Sequence, residues 1–156
     1  MVTHLSESRT IPVPVEDAFA RTMPMPLDQL FVSRSGPIPP IKETRDQPST
    51  WDSVGQSRVI VLADGGTMRE TLTTVERPHS FGYDLTDVTG AFKLLVSSAA
   101  GLWAFTPDGA GCRVTWSWTI QPRRPLGPLA MPVFGRFWHP YARAALAQLD
   151  SNLTRT

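Results

Sequence analysis

The alternation of apolar and polar positions divides this chain into a strand-rich body and one long, apolar-striped terminal segment. From Leu126 to Leu153, Phe134, Trp138, Tyr141, Ala145 and Leu149 recur at helical spacing, and Phe137, Leu146 and Leu153 widen the stripe. The spacing predicts a long helix whose aromatic face must be buried, and no second long helix precedes it to form a bundle. Pro132 suits a first helical turn, where its missing N–H costs nothing. Pro140 deletes the bond to the Arg136 carbonyl and predicts a kink beside Trp138.

Upstream, the periodicity shifts to strands. Leu5 to Val13 alternates and predicts a first strand. Pro14 then opens a short helix with Glu16 and Asp17 in its first turn, where the helix dipole favours acids, and with Val15, Ala18 and Phe19 on one face. Leu27 to Val32 predicts a second short helix after Pro24 and Pro26. Gly36 to Pro40 is a stiff connector and not a domain linker, because too little chain precedes it to fold alone. Ile41 to Arg45 predicts an edge strand, and Asp46 to Gln56 is the longest irregular piece. Ser57 to Leu62 and Thr67 to Glu76 are joined by an Asp-Gly hairpin turn. Ser80 to Thr86, Phe92 to Thr106 and Cys112 to Gln121 complete the strands. Gly101 inside the long strand predicts a bulge or bend. Short turns between successive strands imply antiparallel pairing within one domain spanning residues 1–156.

Strand period sorts the side chains by face. Val114, Trp116, Trp118 and Ile120 share one face. Gly101, Trp103 and Phe105 share another, continued by Lys93, Leu95, Ser97 and Ala99, with Leu94, Val96 and Leu102 opposite. Trp103, Trp116 and Trp118 therefore fall in one hairpin, placed to lie beneath Phe134 and Trp138. This aromatic lining reads either as a filled core or as the wall of an apolar pocket. The lining by itself favours the filled core; the kink at Pro140 and the bend at Gly101 keep open the reading with dry space between helix and hairpin.

The opening SRTIPVPVEDAFA resembles the strand-then-helix start of the START-like (SRPBCC) superfamily, the group of Bet v 1-type proteins, lipid-transfer domains and polyketide cyclases. The runs GQSRVIVLADGG, MRETLTTVERPHSFGYDL and GLWAFTPDGAGCRVTWSWTIQP, followed by a terminal helix, extend the resemblance over nearly the whole chain. It implies an α+β helix-grip fold: a seven-stranded antiparallel sheet wrapped around the last helix, enclosing a cavity for an apolar ligand. It carries no shared catalytic motif, because carriers, receptors and cyclases all use this fold.

Composition narrows the function classes. With 156 residues, 41% hydrophobic and 19% charged, the chain is long enough and apolar enough for a packed core. A net charge of +1 gives no case, as a balance, for nucleic acid or an anionic membrane as partner. The single Cys112 excludes an internal disulfide and a multi-cysteine metal site. No stretch approaches membrane-spanning length and the polar start does not resemble a signal peptide, so a cytoplasmic location is expected.

Candidate chemistry is sparse. Glu70 shares a strand face with Met68 and Leu72, and an ionised carboxylate there needs a partner, for which Arg58 on the neighbouring strand is placed. Tyr83 alternates with Phe81 and Leu85, so its phenol requires a hydrogen-bond partner inside. His139 falls off the centre of the helix stripe and is expected at the surface or at an interface between elements. Arg45 and Trp51 belong to the irregular region where a cavity entrance would lie. His4, His79 and His139 have no metal-ligand spacing, and Ser97 and Ser98 have no histidine nearby, so neither a metal, a cofactor nor a serine nucleophile is indicated. The expected function is binding or carriage of a hydrophobic small molecule: a lipid, polyketide or aromatic metabolite. Trp103, Trp116, Trp118, Phe134, Trp138 and Tyr141 would form the wall, with Arg58, Glu70 and Tyr83 as polar contacts. The alternatives are a cyclase- or dehydratase-type enzyme using Glu70, Tyr83 and His139, and an interaction module with a filled core.

Overall fold

Hairpin turns leave successive strands to pair side by side, and the computed structural model, which describes residues 2–155, is built on that pairing. The strands are β1 (Thr3–Ile11), β2 (Ile41–Arg45), β3 (Ser57–Leu62), β4 (Thr67–Glu76), β5 (Ser80–Thr86), β6 (Val96–Asp108) and β7 (Gly111–Pro122). They form one seven-stranded antiparallel sheet in the order β1-β7-β6-β5-β4-β3-β2. Between β1 and β2 the chain crosses from one sheet edge to the other through α1 (Val15–Thr22), a 3₁₀ turn at Leu27–Gln29 and the proline-rich connector. α2 (Gly127–Thr154) packs chiefly along β1 and β7, which completes a helix-grip fold.

α2 is unbroken through both Pro132 and Pro140. Beside Pro140, Ser35 Oγ donates to the Phe137 carbonyl at 2.7 Å, and the Phe137 ring occupies the place where a side chain on Gly36 would stand. The stripe Phe134, Trp138, Tyr141, Ala145 and Leu149 is buried, with Ala142, Leu146 and Leu153. Beyond shifts of one or two residues at the ends of β1, β7 and α2, expectation and structure part in three places. The second helix is cut to the 3₁₀ turn at Leu27–Gln29, because the Phe31 carbonyl accepts from the Ile41 amide at 2.9 Å and draws the chain towards β2. The start of the long strand is a 3₁₀ turn at Ala91–Leu94, so Lys93 is exposed instead of facing inward. The bulge in β6 lies between Val96 and Ser98, not at Gly101.

That shift has a physical consequence. One extra residue reverses the facing of everything before it, so Val96 turns inward while Ser97 donates to the Gln121 carbonyl at 2.9 Å. Gly101 pairs regularly with Tyr83 and Trp118, and its missing side chain leaves room for the Tyr83 ring to lie across it.

Candidate functional site

The β3–β4 hairpin sets Arg58 directly opposite Glu70 in register, and each is only 2% exposed. Arg58 Nε donates to Glu70 Oε1 at 2.6 Å, and Arg58 Nη1 donates to Gln47 Oε1 at 3.1 Å. The flat guanidinium lies 4.1 Å over the Trp51 ring, so the irregular segment before β3 folds back onto the pair. Burial pushes the Glu70 carboxyl above its ordinary range, and the Arg58 charge and hydrogen bond offset that in part. The two ions together present no net charge to their surroundings.

Tyr83, two residues before Leu85, the partner of Glu70 on β5, sits on the same inner face. Its hydroxyl accepts from Trp116 Nε1 at 2.9 Å and from Trp118 Nε1 at 3.1 Å. An indole N–H can only donate, so both lone pairs of the phenol oxygen are engaged and its proton remains free to donate. Burial, and then the neighbouring Glu70 charge, push the Tyr83 pKa well above the usual phenol range. Tyr141 is also raised, mainly by burial, and donates to the Pro39 carbonyl at 3.1 Å.

These groups border a cavity of about 50 Å³. It lies between β3–β5 and the segment from Thr22 to Ile41, with Met23, Leu30, Phe31, Ile38, Ile60 and Met68 among its apolar walls. Thr22 Oγ1 is buried at its edge without a hydrogen-bond partner among the described residues. A water needs at least roughly 10–15 Å³ of such space, so the cavity as it stands admits a few water-sized groups.

Of the residues singled out from sequence, Arg58, Glu70, Tyr83, Trp103, Trp116, Trp118 and Tyr141 line this space. Phe134 and Trp138 do not. Trp138 stacks on Trp116 with ring centroids 5.0 Å apart, and Trp116 stacks on Trp103 at 5.6 Å. The terminal helix and the tryptophan hairpin therefore close on each other there, and the open space lies elsewhere, under β3–β5. His139 is half-buried at the seam between α2 and β1, outside the cavity lining, with Nδ1 2.7 Å from Glu7 Oε2. Arg45 is exposed and paired with Glu43 at 2.9 Å, whereas Trp51 is buried at 4% exposure. Among the described residues, no three His, Cys, Asp or Glu side chains are grouped closely enough to hold a metal ion.

Gln47, Thr22 and the cavity's methionines are site residues that sequence reasoning missed. Met23, Met25 and Met68 are three of the chain's five methionines, and they converge from two distant segments. No sequence periodicity links them, so only the crossing of the chain over the sheet brings them together.

Comparison with known proteins gives the same fold at low sequence identity. A protein from Nitrosospira multiformis is 17% identical, with a TM-score of 0.71 over 98% of this chain and 97% of that one. Ginseng major latex-like protein 151 from Panax ginseng is 12% identical, with a TM-score of 0.68 over 98% of each chain. Ara h 8.0201 is 15% identical, with a TM-score of 0.67 over 100% of both chains. No curated protein matches the sequence itself. The family described as polyketide cyclase / dehydrase and lipid transport matches residues 2–154, and the chain belongs to it.

Proposed function

We propose that this protein binds a small, largely apolar molecule in the cavity under β3–β5 and orients it by one neutral, hydrogen-bonding head group. The observation that carries this reading is the Tyr83 hydroxyl. Trp116 and Trp118 occupy its acceptor sites, which leaves its proton to donate beside the charge-balanced Arg58–Glu70 pair. A ligand carbonyl, ether or hydroxyl satisfies that donor. A charged head would add an uncompensated ion to a buried site. Affinity comes from apolar burial at roughly 25 cal/mol per Å².

The present cavity is well below the ~300–1,000 Å³ of usual small-molecule sites. Entry of a ligand therefore needs the walls to re-pack, which thioether side chains such as Met23, Met25 and Met68 do at low cost. The enzyme alternative has weaker support. His139 stands outside the cavity, and a phenol with a raised pKa is a poor acid at neutral pH.

The test is a titration with a matched long-chain ketone and hydrocarbon, followed by tryptophan fluorescence. The ketone is expected to bind more tightly, and Tyr83→Phe should weaken it about five- to tenfold while leaving the hydrocarbon unchanged. Protein that binds neither compound, and that carries no apolar mass when gently purified and sprayed intact, would overturn the reading.

A further inference from the structure

The net charge of +1 conceals a segregation. Between Val88 and Leu149 the chain carries Lys93, Arg113, Arg123, Arg124, Arg136 and Arg143 against one acid, Asp108. Asp108 closes the far end of the β6–β7 hairpin, where it accepts from Thr10 Oγ1 at 3.0 Å. That turn is roughly 40 Å along β6 from Val96, at about 3.3 Å per residue.

At the near end of the hairpin, four cations and four apolar side chains come from neighbouring segments: the turn before β6, the link after β7 and the start of α2. Leu126, Leu129 and Val133 follow helical spacing along the outside of α2 and are 53%, 81% and 53% exposed, and Arg136 continues the same stripe. The 3₁₀ turn at Ala91–Leu94 packs against the start of α2: the Arg123 amide donates to the Leu95 carbonyl at 2.8 Å, and Phe92 meets Phe134 edge-on at 5.7 Å. This brings Lys93 and the 63%-exposed Leu94 to the same region as Arg123 and Arg124. None of Lys93, Arg123, Arg124 and Arg136 has a carboxylate within 4.0 Å among the described residues, and Arg123 Nε is buried without an acceptor. Asp87, the acid before this turn, is within 3.5 Å of Arg69.

We propose that this face docks onto an anionic lipid surface. Scattered exposed leucines need no explanation, but a helical stripe of them rimmed by unpaired cations matches what an interfacial surface requires. The apolar side chains enter the acyl boundary, and the arginines and Lys93 stay at the level of the phosphates, their stems covering the edge. Acidic protein is the competing partner for the charges, but it gives no reason for Leu129 to stand 81% exposed among them. The position also connects with the cavity, since Phe92 lines it and directly precedes Lys93 and Leu94. Exchange of a ligand with the docked surface rests on the function proposed above; docking itself does not.

Flotation of the full chain with vesicles tests this. Phosphatidylcholine vesicles containing phosphatidylserine are expected to carry the protein at low salt, phosphatidylcholine alone to carry far less, and added salt to release it. Arg124→Gln and Arg136→Gln should each weaken binding about fivefold. Leu129→Asn should weaken it at least about fivefold. All of these side chains are exposed, so an unchanged circular dichroism spectrum is expected and excludes misfolding as the cause. Failure to float with the anionic vesicles would overturn the proposal. So would flotation indifferent to Leu129→Asn, which would mean charge adsorption alone. Capture by polyglutamate of protein that ignores vesicles would replace the lipid with an acidic protein. Ketone binding measured without vesicles should be untouched by these variants, so loss of one property leaves the other standing.

Discussion

At the β1–β7 edge Trp138 stacks on Trp116 and shuts the interior, whereas under β3–β5 the interior stays partly open and carries two ions. Both regions are aromatic, and they differ in what their polar atoms find. Trp138 Nε1 is buried without a partner among the described residues, so its place there is held by packing alone. Trp116 and Trp118 instead direct their N–H groups to Tyr83. The closed side is filled by ring stacking, and the open side is organised by hydrogen bonds that leave a donor available. Aromatic content therefore did not locate the cavity; the placement of polar atoms did.

The sharpest way to break this comparison is Trp138→Ala, which removes the stack and should cost about 3–5 kcal/mol in chemical denaturation. Because Trp138 does not line the cavity, ketone binding by the folded fraction should persist. A loss below about 1 kcal/mol would mean that the site collapses around the deletion and that the stack contributes little to stability.

On the open side, Glu70→Ala leaves Arg58 buried without its counter-ion and should destabilise by about 3 kcal/mol. Replacing both partners with apolar residues, Arg58→Met with Glu70→Leu, should return stability to near the wild-type value or above it. A double variant as unstable as the single one would show that the pair does more than neutralise itself.

The smallest effect is alkaline. Tyr83 and Tyr141 are the chain's two tyrosines, and both have pKa values raised above the ordinary 10.0. A phenol held neutral in the fold adds stability that is complete below its unfolded pKa and is lost as pH rises towards its folded value. Near-ultraviolet absorbance should therefore show no tyrosinate in the folded protein at pH 10.0, the ordinary phenol value, and both should ionise together with loss of the circular dichroism signal. Separate ionisation of either tyrosine before unfolding would contradict its burial.

Sequence patterning located β2, β3, β4 and β5 at the bounds seen in the structure, because period-two alternation and the Asp-Gly turn are local signals. The buried stripe of α2 was legible for the same reason. The phase of early β6 was not, since a bulge obeys the pairing partner and leaves no mark in the alternation. Gly101 was visible, yet its use was not: the Tyr83 ring that requires it comes from another strand. The Arg58–Glu70 pair could be proposed because a two-strand hairpin has one sensible register. Gln47 and Trp51, supplied by an irregular segment, had no such rule behind them.

What the sequence determined by itself was the set of elements, their antiparallel order and which side chains must be inside, since these follow from local periodicity and short connections. Where the empty space falls was decided by tertiary structure alone. Void is the remainder after rings from several elements have packed, and whether Trp138 closes on Trp116 or leaves a gap depends on how α2 settles over β1 and β7. The same holds for the charged face, where cations far apart in sequence gather because β6 and β7 bring the turn before one strand against the helix after the other.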